Sequence, residues 1–183
     1  FADGTTTYYA QWEADPAEIV FDANGGKDAP QGASGKTGQG VIDPFPTDEP
    51  TRDGYTFIEW NTEADGTGEK IEDYPGLFPA GTTTYYAKWE ADDSEIEFNA
   101  NGGYGAPDGI EGKTDDPIDD DFPAAEPLKP GYKFTEWNTE PDGTGETISG
   151  YPDTFPAGGV TYYAQYEPVE ADIVFDANGG QDA

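Results

Sequence analysis

Apolar and polar residues alternate in three short stretches of the chain, and this alternation predicts β-strands. In the first stretch, residues 18–26, the apolar positions recur 77 residues later (98 − 21), whereas Val20 is replaced by Glu97. A position that accepts either valine or glutamate faces water, so we expect the positions between to face a core. These core positions are Ile19, Phe21, Ala23, Ile96, Phe98 and Ala100. The Asn-Gly-Gly at the end of the stretch predicts a tight turn, because Gly adopts a positive φ without strain.

Two further stretches predict strands whose inner faces are aromatic. In residues 54–60, Tyr55 and Phe57 share one face, whereas Trp60 is out of phase with them. We therefore expect a bulge or a twist that returns the indole to the core. Residues 82–89 predict the third strand, with these side chains inward: Tyr85, Ala87 and Trp89.

The segments between these strands carry turn residues and no helical pattern. Residues 27–53 contain four prolines and are expected to form a loop, and residues 61–69 are expected to form a turn. The sequence therefore predicts a mostly β module with little or no helix.

The whole pattern repeats without a gap, as Phe21, Phe98 and Phe175 illustrate, since they are 77 residues apart (98 − 21 and 175 − 98). More than half of the positions in 17–93 recur identically in 94–170. A repeat this faithful favours length or multivalency over catalysis, which normally needs one asymmetric cleft. We expect an elongated array in which a neighbouring repeat or another chain holds each end fragment. The expected parts are the end of a preceding repeat (1–15), two complete repeats (16–93 and 94–170) and the start of a following repeat (171–183).

The composition of the chain excludes several classes of function. It has no Cys, Met or His, and 39 acidic residues against 8 basic ones give a formal net charge of −31. Without His there is no proton shuttle of the usual kind at neutral pH and no imidazole metal ligand. Nucleic acids and anionic membranes require cationic patches, so neither is expected as a partner, and no apolar run is long enough to insert into a membrane. We expect no enzyme activity and no cofactor apart from a possible Ca²⁺.

The motifs of the repeat resemble those of a known family. The succession IVFDANGG, GYTFIEWNTEADGTGE and TTTYYAKW is similar to the Listeria–Bacteroides repeat family, the B-repeats of internalin-type bacterial surface proteins. This resemblance covers 17–90, 94–167 and both end fragments. It implies compact β-grasp-like modules in tandem on secreted or cell-wall proteins, where they usually form a stalk that carries an adhesive or invasive tip. Glu59 and Glu136 stand where the family usually has Gly before Trp, and binding properties of more basic members are not carried over to so acidic a chain.

Two acidic turns are candidate calcium sites. Each places three carboxylates around two glycines, and Ca²⁺ takes oxygen ligands from such loops. The turns lack the Asp spacing of an EF-hand, and an Asp-Gly turn forms without an ion, so a plain turn is the alternative. The candidate ligands are Glu63, Asp65 and Glu69 in the first repeat and Glu140, Asp142 and Glu146 in the second.

Lys36 and Lys113 are the lysines that occur at the same position in both repeats. Some stalk domains of Gram-positive bacteria join a lysine to an asparagine through an isopeptide bond, and Asn24 and Asn61 would be available acceptors here. A solvated lysine in a turn is the simpler interpretation, and both remain open from the sequence.

The four tryptophans admit two interpretations. They could form sugar-stacking platforms, but all lie within strand patterns, and that position favours a buried core. They are Trp12, Trp60, Trp89 and Trp137.

These observations together favour a non-enzymatic stalk, spacer or filament of a secreted or cell-wall-attached, adhesin-like protein. Its expected partners are neighbouring repeats of the same chain and other copies in a filament. The alternative is a multivalent adhesive module that binds a glycan or a host protein weakly at each repeat and gains avidity from repetition. A stalk would bury nearly all its aromatic residues, whereas a binding module would leave a row of them exposed on one face.

Overall fold

The computed structural model describes residues 4–171, which contain ten β-strands and no helix. The chain divides between Ala91 and Asp92 into two compact units. The first contains β1 (Pro16–Asp22), β2 (Ala33–Lys36), β3 (Tyr55–Asn61), β4 (Lys70–Ile71) and β5 (Gly81–Ala91). The second contains β6 (Asp93–Asn99), β7 (Ile110–Lys113), β8 (Tyr132–Asn138), β9 (Thr147–Ile148) and β10 (Val160–Pro168). The prediction of a mostly β chain built from tandem modules is confirmed for this part of the chain.

Each unit is built on a single mixed sheet with its last long strand in the middle. In the first unit β5 pairs in parallel with β1, from Ala17 opposite Gly81 to Asp22 opposite Tyr86, and antiparallel with β3. The short strands β2 and β4 form the edges, which gives the order β2-β1-β5-β3-β4. The second unit repeats this order as β7-β6-β10-β8-β9. The same sequence pattern therefore produces the same strand topology twice.

A bulge in β3 returns Trp60 to the core, as the sequence pattern predicted. Phe57 lies opposite Trp89, but the next pairing joins Glu59 to Lys88, so Ile58 is an extra residue in β3. An inserted residue of this kind reverses the side on which the following side chains point. As a result Phe57 and Trp60 both face inward, and Trp60 is only 4% exposed.

The core of the first unit is an aromatic cluster centred on Phe21. Its ring centroid lies 4.7 Å from that of Trp60 and 5.8 Å from that of Tyr85, both on neighbouring strands of the sheet. Phe45 and Tyr74 approach to 5.5 and 6.0 Å from segments between the strands. The proline-rich connections therefore cover the inner face of the sheet in place of a helix. Phe98 has the same surroundings in the second unit, with Trp137, Phe122, Tyr162 and Tyr151 at 4.9, 5.6, 5.7 and 6.1 Å.

The turn after β1 is fixed by its asparagine. Asn24 and Gly25 both have a positive φ, at 49° and 89°, which confirms the predicted tight turn. The side-chain Nδ2 of Asn24 donates hydrogen bonds to the carbonyl oxygens of Ala64 at 2.7 Å and Ala87 at 2.9 Å. One asparagine thus ties the end of β1 to β5 and to the turn that follows β3.

Two predictions about individual segments are wrong. Residues 27–53 were expected to be a loop, but they contain the edge strand β2, whose four residues Ala-Ser-Gly-Lys carry too little apolar alternation to predict a strand. Trp12 was expected to be buried, yet it is 93% exposed and residues 4–15 contain no strand. Within residues 4–171 no strand pairs with this segment, so no sheet holds the indole against a core. The expectations for Phe175 and for most of the fragment 171–183 fall on residues 172–183, outside the described part of the chain.

Candidate functional site

The two acidic turns follow β3 and β8, and a buried asparagine shapes each of them. Asn61 is 1% exposed, and its Oδ1 accepts a hydrogen bond from the backbone N–H of Glu63 at 3.0 Å. Its Nδ2 donates to the carbonyl of Gly68 at 3.3 Å and to Oε1 of Glu59 at 3.2 Å. Asn138 holds the second turn through the same contacts with Glu140 and Gly145. A buried amide that forms hydrogen bonds with several turn groups at once stabilises the turn.

Within each turn, one carboxylate is engaged by a threonine. The carboxylate of Asp65 accepts hydrogen bonds from the hydroxyl of Thr67 at 2.7 Å and from its backbone N–H at 3.0 Å. Both hydrogen bonds stabilise the charged carboxylate and therefore lower the pKa of Asp65, and the bond from the hydroxyl has the larger effect. Asp142 and Thr144 repeat the arrangement at 2.6 and 3.0 Å, with the pKa of Asp142 lowered for the same reason.

The candidate calcium ligands are not gathered into a common site. The carboxylate-bearing residues of the first turn, Glu63, Asp65 and Glu69, are exposed, as are their counterparts in the second turn. Between residues 4 and 171 no group of three or more carboxylates is arranged so that it could hold a metal ion. The structure therefore presents these residues as parts of a hydrogen-bonded turn, and specific binding of Ca²⁺ stays a hypothesis.

The two recurring lysines lie beside carboxylates. The ammonium of Lys36 is 2.7 Å from Oε1 of Glu13, and that of Lys113 is 3.2 Å from Oδ1 of Asp93. Both side chains are about half exposed, at 52% and 48%. The amides proposed as isopeptide acceptors are engaged elsewhere, since Asn24 donates to Ala64 and Ala87, and Asn61 to the acidic turn. The isopeptide hypothesis thus gains no support from this geometry, which matches the simpler interpretation of a solvated lysine.

Both lysines border a shallow groove that the sequence did not predict. It opens where β1 and β6 begin, with a volume of about 530 Å³ in the first unit and about 670 Å³ in the second. Glycine is needed in its wall because a Cβ on Gly35 would lie 2.6 Å from the ring of Phe78. A hydroxyl in the second groove, that of Ser94, donates a 2.5 Å hydrogen bond to the carbonyl of Pro156. The groove offers one ion-paired ammonium and exposed carboxylates, and no side chain in it is arranged as an activated nucleophile.

Three of the four tryptophans contribute to the cores. Trp60 and Trp137 are each 4% exposed. Trp89 is partly buried, packs on the first core, and its indole Nε1 donates a 2.9 Å hydrogen bond to the carbonyl of Ala23. Trp60 and Trp137 are therefore not available as sugar-stacking platforms, and the packing of Trp89 also agrees with the core interpretation. The exposed Trp12 is the exception described above.

Comparisons with known proteins agree with this repeat organisation. The sequence pattern of the Listeria–Bacteroides repeat domain matches residues 18–88 and 95–165. A protein of Evansella cellulosilytica, provisionally named a Gly-rich membrane protein, is 35% identical over 141 residues, which is 71% of this chain and 16% of that protein. A second protein of the same organism, provisionally named a membrane protein, is 26% identical over 172 residues, which is 94% of this chain and 24% of that protein.

The chain thus spans less than a quarter of the length of each of these relatives. In residues 4–171 no helix has the length and apolar character needed to cross a membrane. Two family matches, each falling within one structural unit, together cover most of the chain. The chain belongs to the Listeria–Bacteroides repeat family.

Proposed function

We propose that this chain is a spacer segment of a bacterial surface protein, in which the repeats supply length and project another domain. The observation that carries this proposal is that each unit closes its own core around one phenylalanine, Phe21 or Phe98. A module that buries its own apolar core can be added to a chain without changes to the sequences of its neighbours, as expected for a structural repeat.

The proposal includes the absence of enzyme activity. The sequence has no His and no Cys, and no serine occurs at the same position in both repeats. Ordinary nucleophilic and acid–base mechanisms need such groups held in one cleft. The grooves at the starts of β1 and β6 are open and lined by ion-paired or solvated side chains, which supports a structural role.

An extracellular location, secreted or attached to the cell wall, is also part of the proposal. It is supported by the names of the two relatives as membrane proteins and by the surface proteins in which this repeat family occurs. A net charge of −31 would keep a long array soluble through self-repulsion. Neighbouring repeats and further copies in a filament are the proposed partners.

A β-grasp-like description of each module fits the same proposal. A parallel central pair, β1 with β5, is flanked by the antiparallel strands β2 and β3. This order places the first and last strands side by side in the middle of the sheet. A pulling force applied to the two ends of a module would load this parallel pair along its length, which suits a mechanical spacer.

The alternative, a multivalent binding module, requires the same exposed aromatic row on every repeat. The exposed aromatic side chain of Tyr104 has Lys27 as its counterpart in the first repeat. The exposed apolar residue Ile42 has Asp119 as its counterpart in the second. At these two positions the exposed apolar residue is not repeated, an observation that supports the spacer over the repeated binder.

The spacer proposal is tested by varying the number of repeats. Chains with one, two and four copies of residues 16–92 would be compared by small-angle X-ray scattering. We expect the longest dimension to grow by the same increment with each copy, because every copy contributes one folded module. A dimension that stops growing as copies are added would contradict a spacer role.

A further inference from the structure

The second unit carries an exposed apolar patch that consists of Tyr104, Leu128 and Tyr132. Their side chains are 59%, 59% and 44% exposed. Tyr104 and Leu128 are joined by a pair of backbone hydrogen bonds, each 2.8 Å long, so the two residues lie directly opposite each other. The patch borders a shallow depression of about 370 Å³.

An ammonium group lies beside this patch without an anionic partner. The Nζ of Lys129 is 4.9 Å from the ring centre of Tyr132 and 4.8 Å from that of Tyr166, and it donates a 3.4 Å hydrogen bond to the carbonyl of Asn101. Lys129 forms no ion pair with any carboxylate of residues 4–171. Every other lysine in that range does: Lys27, Lys36, Lys70, Lys88, Lys113 and Lys133. In a chain with 39 acidic residues, this location is suited to an anion.

The first unit shows that the fold does not require this patch. Lys27 and Thr51 occupy the positions of Tyr104 and Leu128, and they form the same backbone pair. The Nζ of Lys27 lies 3.8 Å from Oδ2 of Asp53. In the second unit a proline occupies the position that corresponds to Asp53. An ion pair in one repeat is therefore replaced by exposed apolar surface in the other, while the strand order of the sheet is the same.

We propose that this patch binds an acidic glycan, with the rings of Tyr104 and Tyr132 against the apolar faces of the sugars and Lys129 paired with a uronate carboxylate. Tyrosine presents an apolar ring and a polar hydroxyl, a combination suited to a surface that is partly apolar and partly hydrated. The occupant is anionic because Lys129 forms no ion pair within residues 4–171, while Glu126, which also lines the depression, is exposed to solvent. One uronate suffices for this contact, and the net charge of −31 repels a glycan that carries many carboxylates.

The backbone at the patch favours a sugar over an acidic peptide. A peptide that adds to a sheet takes much of its affinity from free backbone N–H and C=O groups. The N–H and C=O groups of Tyr104 and Leu128 are already paired with each other. What the patch offers instead is two exposed aromatic side chains and one ammonium, which recognise ring faces and a carboxylate. This site is independent of the spacer proposal, which can hold or fail separately.

The first experiment is a titration of the 183-residue chain with a galacturonate hexamer that has one free carboxylate, the other five being methyl esters, followed by NMR of the tyrosine rings. We expect the signals of Tyr104 and Tyr132 to shift, while that of Tyr55, the counterpart of Tyr132 in the first unit, does not. The fully methyl-esterified hexamer keeps the sugar faces but removes the charge. It should bind about tenfold more weakly, as loss of one charge-assisted contact predicts.

Substitutions at exposed positions of the patch test its role with little effect on the fold. Tyr104→Thr with Leu128→Thr should weaken binding by about tenfold or more, because both apolar contacts are removed and no charge is added. Lys129→Gln should weaken it by about tenfold, whereas Lys129→Arg, which matches Arg52 of the first unit, should bind within about threefold of the original chain. Tyr8→Ala, which removes an exposed ring elsewhere, is the matched control and should leave the affinity unchanged.

Several results would overturn the proposal. One is the absence of any shift at Tyr104 and Tyr132 with the acid hexamer, and another is equal affinity for the acid and its methyl ester. Equal shifts at Tyr55 would show that the response is not specific to the second unit. Self-association that Tyr104→Thr abolishes, without any response to the sugar, would assign the patch to a second copy of the chain instead.

Discussion

The indole Nε1 of Trp89 donates a 2.9 Å hydrogen bond to the carbonyl of Ala23 across the first unit. In the second unit a tyrosine replaces this tryptophan, and the hydroxyl of Tyr166 donates a 2.7 Å hydrogen bond to the carbonyl of Ala100. The two aromatic side chains differ in size and chemistry, but each donates a hydrogen bond to the equivalent backbone carbonyl of its own unit. The exchange between the repeats therefore preserves a hydrogen bond that closes the turn after the first strand, as well as apolar volume.

Removal of that donor should destabilise the first unit. In Trp89→Phe the carbonyl of Ala23 loses its indole partner, and we expect the free energy of unfolding to fall by about 1–3 kcal/mol. Trp89→Tyr should cost less than Trp89→Phe, because the second unit uses tyrosine at this position. Chemical denaturation followed by circular dichroism measures both changes. Equal losses for Phe and Tyr would mean that packing alone determines the choice of residue.

The buried tryptophans should dominate core stability. Trp60 is 4% exposed and its ring centroid lies 4.7 Å from that of Phe21, so Trp60→Ala should lower the free energy of unfolding of its unit by about 3–5 kcal/mol. Trp12→Ala is the matched control, since Trp12 is 93% exposed and its removal should change stability little. Denaturant titrations of the two variants provide the comparison. A Trp60→Ala protein that unfolds at the same denaturant concentration as the original would contradict the core assignment.

Much of this fold could be predicted because the two repeats of the chain can be compared position by position. The exchange of Val20 for Glu97 identified the water-facing side of β1, and the phase of Trp60 indicated the bulge that appears at Ile58. Edge strand β2 could not be predicted, since of its four residues only Ala33 is buried, and its strand geometry comes from pairing with β1. Local sequence is a weak guide where tertiary pairing determines the backbone.

The functional features were less accessible from the sequence. The acidic turns were found, but the role of Asn61 as their buried support was not, because an Asn-Thr after a strand is equally typical of an ordinary turn. The patch at Tyr104 was missed because Tyr104 precedes Leu128 by 24 residues (128 − 104). They meet only through the backbone pairing of residue 104 with residue 128.

Alkaline pH should destabilise both units through their core tyrosines. Burial raises the pKa of Tyr85 and of Tyr162 above the ordinary value of 10.0, because the interior disfavours the phenolate. Because each pKa is higher in the folded than in the unfolded state, the two neutral tyrosines contribute fully to the free energy of unfolding below pH 10.0. This contribution is lost as the pH rises through the folded-state pKa. We therefore expect the melting temperature to fall above about pH 10. Tyr85→Phe with Tyr162→Phe should reduce that fall, and an unchanged pH profile in this double variant would disprove the explanation.

The response to cations separates charge screening from specific binding. With 39 acidic and 8 basic side chains, many carboxylates repel one another, so added salt should raise the melting temperature. We expect Na⁺ and Ca²⁺ at matched ionic strength to give similar increases, because the carboxylates at Glu63, Asp65 and Glu69 are not gathered into a site. Calorimetry of the original chain and of a variant with Asp65→Asn and Asp142→Asn measures this. Asparagine retains the side-chain oxygen that accepts from threonine, so the turn is maintained while one charge per turn is removed. A gain specific to Ca²⁺ that disappears in the variant would establish calcium binding at the turns, since a ligand that binds only the native state stabilises it by mass action.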